Sequence, residues 1–154
     1  GRLGEVTGRV HNPPVDRLLQ ERRRDLGLVP LPRHEGARPL LRHLGAGGVA
    51  ALLLDQNVRA RTLDVPFFGR PAPTAAGLGT IALRHGIPVL PVVIARDSGG
   101  RSHVVRHLPA LEPGDGPRSD LALRGFLERC NLCLEELIRR NPEEWVWFHR
   151  RWPA

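Results

Sequence analysis

The chain has 154 residues, 41% of them hydrophobic, and a formal net charge of +7 from 23 basic and 16 acidic residues. That length and content suit one domain with a sizeable core and exclude a disordered tail. The sequence contains no lysine, so every basic residue is an arginine, a permanently charged fork that suits phosphate and other acidic partners.

In chain order, Gly1-Arg2-Leu3-Gly4 reads as the turn after a helix, and with no methionine anywhere the chain is expected to be a fragment. Glu5–Val10 is a short candidate strand, and Asn12-Pro13-Pro14 is a turn that opens a helix. That helix is expected from Val15 to Leu26, with Leu18, Leu19 and Leu26 on its apolar face and Gly27 as its stop. Leu28–Leu31 is a second short strand, and Glu35–Leu44 a helix stopped by Gly45, Gly47 and Gly48. Val49–Leu54 is a continuous apolar run, the pattern of a strand buried on both faces. Val65–Phe68 is a brief strand, and Thr74–His85 a helix with Thr74 as its cap.

Pro88–Ala95 is another buried strand, turned by Ser98-Gly99-Gly100 onto an antiparallel partner at Ser102–Leu108. Ser119 caps a long helix to Arg140, where Asn141-Pro142 ends it, and Glu143–His149 forms an aromatic turn. The alternation predicts an α/β fold: a mixed, mostly parallel sheet flanked by helices, turned antiparallel at one edge by the hairpin. Cys130 and Cys133 lie at i and i+3 in the last helical pattern and read as buried thiols, which fits a reducing compartment. No segment is long enough to span a bilayer.

The strongest local signal is Asp55-Gln56, a carboxylate where an apolar strand ends, the usual place for a site in an α/β sheet. A buried charge needs a partner, and Arg9, Arg59 and Arg61 are the candidates. The alternative is a structural loop cap. Next comes Val65-Pro66-Phe67-Phe68-Gly69-Arg70. One phenylalanine is expected in the core and the other lining an acyl groove, with Arg70 on a phosphate. The helix start at Thr74 offers free backbone N–H groups as an anion seat.

Two literal His-x4-acid patterns, His11 to Asp16 and His107 to Glu112, match the general-base spacing of glycerolipid acyltransferases. Such matches are cheap in a chain with seven histidines, and Asn-Pro-Pro after His11 forces a turn where a dyad needs a helix start. The closing run Trp145-Val146-Trp147-Phe148-His149-Arg150-Arg151-Trp152 reads as Trp145 and Phe148 in the core, with Arg150 and Arg151 facing solvent or phosphate. Interleaved aromatic and basic residues also suit nucleic-acid stacking or a membrane interface.

With these blocks in order, the chain resembles the bacterial lipid A biosynthesis acyltransferases, the lauroyl/myristoyl transferase family of the lysophospholipid acyltransferase superfamily. Arg9…Asn12-Pro13…Asp16 is similar to the family's Arg-Pro…Asn-Pro…Asp block, with Val10 where the family has proline. Asp55-Gln56 resembles its strand end, and Val65–Gly69 with Ala72, Thr74 and Gly77 its Phe-Phe-Gly…Ala…Thr…Gly block. Pro88-Val89…Pro91 and Trp147–Trp152 resemble its Pro-Val…Pro strand and its Trp-x-His-Arg-Arg-aromatic ending.

The resemblance implies a glycerolipid-acyltransferase-like fold, incomplete at the N-terminus, of which residues 1–154 form roughly the C-terminal two-thirds of one domain. It implies acyl transfer from acyl carrier protein to a hydroxyl of a lipid A precursor, with no cofactor and no metal. The partners implied are the carrier protein, an anionic glycolipid acceptor and, peripherally, the cytoplasmic face of the bacterial inner membrane. No catalytic residue is assigned within the chain, because the family's His-x4-Glu/Asp block and its membrane anchor would precede Gly1. The fragment alone is therefore expected to be inactive. The substrate-binding residues implied are Arg9, Asp55, Gln56, Phe68, Gly69, Arg70 and Thr74. The rival readings are an acyltransferase for another glycolipid, such as a mannosylated phosphoinositide, and a basic nucleic-acid- or lipid-binding module without catalysis. The nucleic-acid reading leaves Asp55-Gln56 and the Phe-Phe-Gly block unexplained.

Overall fold

The computed structural model describes residues 2–8, 10–56, 60–97, 99–114, 116 and 119–152. The class is α/β, as the sequence implies, with the strands divided among three small sheets. Two compact units, Gly1–Leu53 and Leu54–Ala154, make up the chain.

The first unit is a parallel sheet of three strands, β1 (Leu3–Thr7), β2 (Val29–Pro32) and β3 (Val49–Ala51), with β1 in the middle. Helix α1 (Pro13–Asp25) makes the crossover from β1 to β2. Asn12 caps it, its side-chain oxygen accepting the Val15 N–H at 3.3 Å, and Pro13 and Pro14 sit in the first turn, where no N–H is needed. Arg23 on α1 grips Glu5 on β1 with two bonds of 2.7 and 3.2 Å, a fork on a carboxylate. Helix α2 (Arg38–Gly45) begins after a 3₁₀ turn at Arg33–Glu35, so the helix expected from Glu35 is split, with Pro39 in its first turn. His43 of α2 is half-buried, with Nε2 lying 3.0 Å from the carbonyls of both Arg2 and Val49.

Two expectations fail here. The leucines expected on the apolar face of α1 do not form a buried one: Leu18 is 51% exposed, Leu26 just past the helix is 77% exposed, and no residue of the helix is buried. Val49–Leu54 is not a central strand either. It pairs only over Val49–Ala51, beside β1 alone, and leaves Val49 59% and Leu53 69% exposed. A continuous apolar run permits burial on both faces, but only neighbours on both sides enforce it.

The second unit contains the hairpin β4 (Thr62–Phe67) and β5 (Arg70–Ala75), helix α3 (Ala76–His85), the hairpin β6 (Val92–Arg96) and β7 (His103–His107), and the long helix α4 (Asp120–Arg140). Ser119 caps α4 as expected, accepting the Ala122 N–H at 3.1 Å. The core gathers Leu54, Val65, Ala76, Ala82, Leu123, Phe126, Leu127 and Cys130. A fully buried side chain such as Leu127 contributes about 1.5–3 kcal/mol to this packing. Gly79 allows α3 to approach α4, since a Cβ there would meet Leu123 Cδ1 at 2.7 Å. Cys130 and Cys133 are free thiols, and burial pushes the Cys130 thiol up to about 12, which keeps it neutral and unreactive.

The helix expected from Thr74 begins two residues later, because Arg70–Ala75 is strand. Thr74 and Ala75 pair instead with Leu63 and Thr62, and Pro71 and Pro73 before them fit the open edge of a two-stranded ladder. Pro88–Ala95 is likewise a strand only from Val92, and Ile94 is 59% exposed. Ser98, in the turn expected after it, lies outside the described residues.

Candidate functional site

The site residues of the second unit are organised by the β4–β5 hairpin. Phe67 pairs with Arg70, so Phe68-Gly69 is a two-residue turn. Both turn residues have positive φ, 50° at Phe68 and 73° at Gly69, the signature of a type I′ connection. Glycine adopts this conformation freely. A phenylalanine does not, and holding it there costs about 1–3 kcal/mol. Glu135 of α4 offsets the strain: its Oε1 accepts the Phe68 N–H at 2.8 Å. Its Oε2 accepts from Arg139 at 2.7 Å, and the Arg139 guanidinium lies 4.9 Å from the centre of the Phe68 ring.

Beneath the turn lies an aromatic cluster. Phe67 is fully buried, with the rings of Phe68, Trp145 and Trp152 at 4.9, 5.8 and 5.7 Å. The indoles of the two half-buried tryptophans each find an acceptor. Trp145 donates to Asp55 Oδ2 at 2.9 Å, and Trp152 to the Phe67 carbonyl at 3.2 Å. Arg70 is exposed, with its guanidinium 5.7 Å from the Trp152 ring.

Behind this cluster sits a buried polar network. Arg151, fully buried, donates to the Pro73 carbonyl and, at 2.8 Å, to Thr74 Oγ1, with its guanidinium 4.9 Å from the Phe67 ring. Asn131 donates to the Pro66 carbonyl at 2.9 Å and to Thr74 Oγ1 at 3.3 Å. The Thr74 hydroxyl donates to the Ala72 carbonyl at 3.0 Å. Burial lowers the Arg151 pKa, and the negative charge of Asp55 opposes that shift. Three buried atoms, Asn131 Oδ1, Arg151 Nε and His149 Nδ1, have no partner among the described residues.

The expected site residues therefore divide. Phe68, Gly69 and Arg70 form one exposed turn over the aromatic cluster, with one phenylalanine in the core and one half-buried at its edge. Asp55 is tied to the cluster through Trp145 and not through Arg61, which pairs with Asp120 at 3.3 Å. Gln56 beside it is exposed. Thr74 is corrected: it caps no helix, and its hydroxyl is spent on three bonds inside the network. Arg9 and Arg59 lie outside the described residues.

The ending is corrected as well. Arg151 is buried where solvent or phosphate was expected, and Phe148, expected in the core, is 94% exposed. For Arg151 the reason is the pair of buried acceptors it meets, the Pro73 carbonyl and Thr74 Oγ1.

Neither His-x4-acid pattern forms a dyad among the described residues. Asp16 Oδ1 accepts the Val10 N–H at 3.0 Å, and His107 Nδ1 lies 3.3 Å from the Leu108 carbonyl. Sequence reasoning missed Asn131 and Glu135. Their signal was present, since both fall on the buried stripe of α4 that carries Leu127, Cys130 and Ile138. No helix of the described residues is long and apolar enough to cross a membrane.

The sequence pattern of the bacterial lipid A biosynthesis acyltransferases matches residues 2–154. No curated protein matches the chain. The family match spans the hairpin, the buried network and the aromatic ending alike, and the α/β fold agrees with it. The chain thus belongs to the bacterial lipid A biosynthesis acyltransferase family, whose members are acyl-transferring enzymes.

Proposed function

We propose that the protein transfers a fatty acyl chain from the thioester of acyl carrier protein to a hydroxyl of a lipid A precursor, at the cytoplasmic face of the bacterial inner membrane. The family match over residues 2–154 carries this reading. In the reaction a general base takes the proton of the acceptor hydroxyl, and the oxygen attacks the thioester carbonyl. The tetrahedral oxyanion then collapses, the carbon–sulfur bond breaks and the carrier thiol leaves with a proton. Neither literal His-x4-acid pattern within the chain forms a dyad among the described residues, so neither His11 nor His107 is assigned as that base.

This chain's own residues hold the substrates. The exposed guanidinium of Arg70 meets a phosphate, and the half-buried Phe68 ring with Gly69 offers an apolar edge to the acyl chain. Gln56 contacts the acceptor from beside Asp55. Asp55 and Thr74 act from behind: Asp55 fixes the Trp145 indole, and Thr74 anchors the network under the hairpin. The net charge of +7 favours both the acidic carrier protein and an anionic lipid surface. The reaction needs no cofactor beyond the donor thioester.

Mass spectrometry of lipid A from cells with and without the full-length gene tests the reading. One acyl chain is expected to disappear with the gene. Unchanged lipid A, with a chain lost from another glycolipid such as a mannosylated phosphoinositide, would move the acceptor to that class. In the full-length enzyme, Asp55→Ala is expected to lower acyl transfer at least about ten-fold, or about 1.4 kcal/mol of barrier. Unchanged turnover would remove Asp55 from the site.

A further inference from the structure

The Phe68-Gly69 turn carries more than a hairpin needs. Type I′ turns are best made by Asn-Gly or Gly-Gly, which accept positive φ at little cost. Here the first position is a phenylalanine at φ 50°, the only non-glycine with positive φ among the described residues. A bulky side chain kept in a strained conformation signals that the side chain itself is wanted there. The ring is only half-buried, so part of it faces outward beside the exposed Arg70.

What holds the ring is a single carboxylate. Glu135 is nearly fully buried, and its two oxygens do different jobs. Oε1 takes the Phe68 N–H at 2.8 Å and fixes the backbone that aims the side chain. Oε2 takes Arg139 at 2.7 Å, and that guanidinium covers one side of the ring at 4.9 Å. Phe67 packs edge-on at 4.9 Å, with the two planes at 77°. The ring is therefore set by its backbone, by a cation and by a second ring, and Glu135 governs two of the three.

We propose that Glu135 is a positioning residue that acts through Phe68 to set the acyl-chain-length preference of the enzyme, with Arg139 as its second arm. This rests on the reading of Phe68 as the apolar edge against which the acyl chain lies. A fixed ring ends or supports that chain at a fixed depth, whereas a ring free to swing accepts chains of several lengths. A contact with one or two methylenes is enough for about ten-fold discrimination between donors. Glu135 touches no substrate in this scheme.

The test compares kcat/KM of the full-length enzyme for acyl carrier protein loaded with saturated chains of different length, alongside thermal denaturation of each variant. Phe68→Ala is expected to flatten the chain-length preference about ten-fold. Glu135→Ala should flatten it to a similar degree. Glu135→Gln should restore most of it, because the amide oxygen still accepts the Phe68 N–H. Arg139→Ala removes a largely exposed side chain, so it should fold normally and flatten the preference by about two-fold.

If Phe68→Ala leaves the profile intact, the reading of Phe68 fails and the inference falls with it. If Phe68→Ala flattens the profile but Glu135→Ala slows all donors equally, Glu135 is merely structural and the inference alone is overturned. Should Glu135→Ala not fold, Arg139→Ala decides: an unchanged ratio between long and short donors refutes the positioning role.

Discussion

In the first unit a helix lies against a three-stranded sheet yet buries none of its own residues, and a two-pronged ion pair between Arg23 and Glu5 is its clearest tie. In the second unit α4 and the aromatic ending both pack against a two-stranded hairpin, with Phe67, Thr74, Asn131 and Arg151 fully buried. The two halves share a class of fold but not a source of stability. Burial holds the second unit, and polar contacts at the surface hold the helix of the first. A site that must keep a strained turn in place is better built on the second kind of support, and that is where Phe68, Gly69 and Arg70 are found.

Substitution can break this contrast. The largest effect is expected at Phe67→Ala, which empties the centre of the aromatic cluster and should cost about 4 kcal/mol in urea denaturation. Leu18→Gln on the exposed face of α1 should stay within about 0.5 kcal/mol. Equal losses at the two positions would mean that the α1 leucines are covered in solution. Next, Arg151→Ala strips a donor from both the Pro73 carbonyl and Thr74 Oγ1 and should cost about 3 kcal/mol. A cost near zero would show that water replaces the guanidinium without penalty. A smaller loss than at Phe67 or Arg151 is expected for Arg23→Ala. Its partly exposed pair with Glu5 should be worth about 1 kcal/mol, best measured in a double-mutant cycle with Glu5→Ala.

Much of the secondary structure was legible because its signals are local. Ser119 reads as a cap and behaves as one, and the pairing of His103–His107 back onto Val92–Arg96 follows from the Gly-Gly turn. The α1 leucines and Val49–Leu54 misled because an apolar pattern states what can be buried, not what arrives to cover it. Thr74 misled because a threonine ahead of an alanine–glycine run looks like a cap, whereas Pro71 and Pro73 upstream make the preceding stretch a strand.

The site was legible in part. Phe-Phe-Gly-Arg was singled out with one phenylalanine in the core, but the turn at Phe68-Gly69 was missed, because an apolar Val-Pro-Phe-Phe run reads as strand through Phe68. Arg151 was misread because an arginine in a basic tail has solvent as its default partner. Its real partners are carbonyl and hydroxyl oxygens of β5, 77 and 78 residues away in sequence. Glu135 and Asn131 break the apolar stripe of a long helix, and a polar residue on such a stripe is a question about its partner.

The placement of Arg151 also sets an order of events. A chain leaving the ribosome displays Phe67 and Thr74 well before Arg151 and Trp152 have been made, so the hairpin waits for its cover throughout translation of α4. Until then its aromatic surface is open to chaperones and to wrong partners. A nick or premature stop ahead of Trp145 would make that interval permanent and mark the truncated product for degradation.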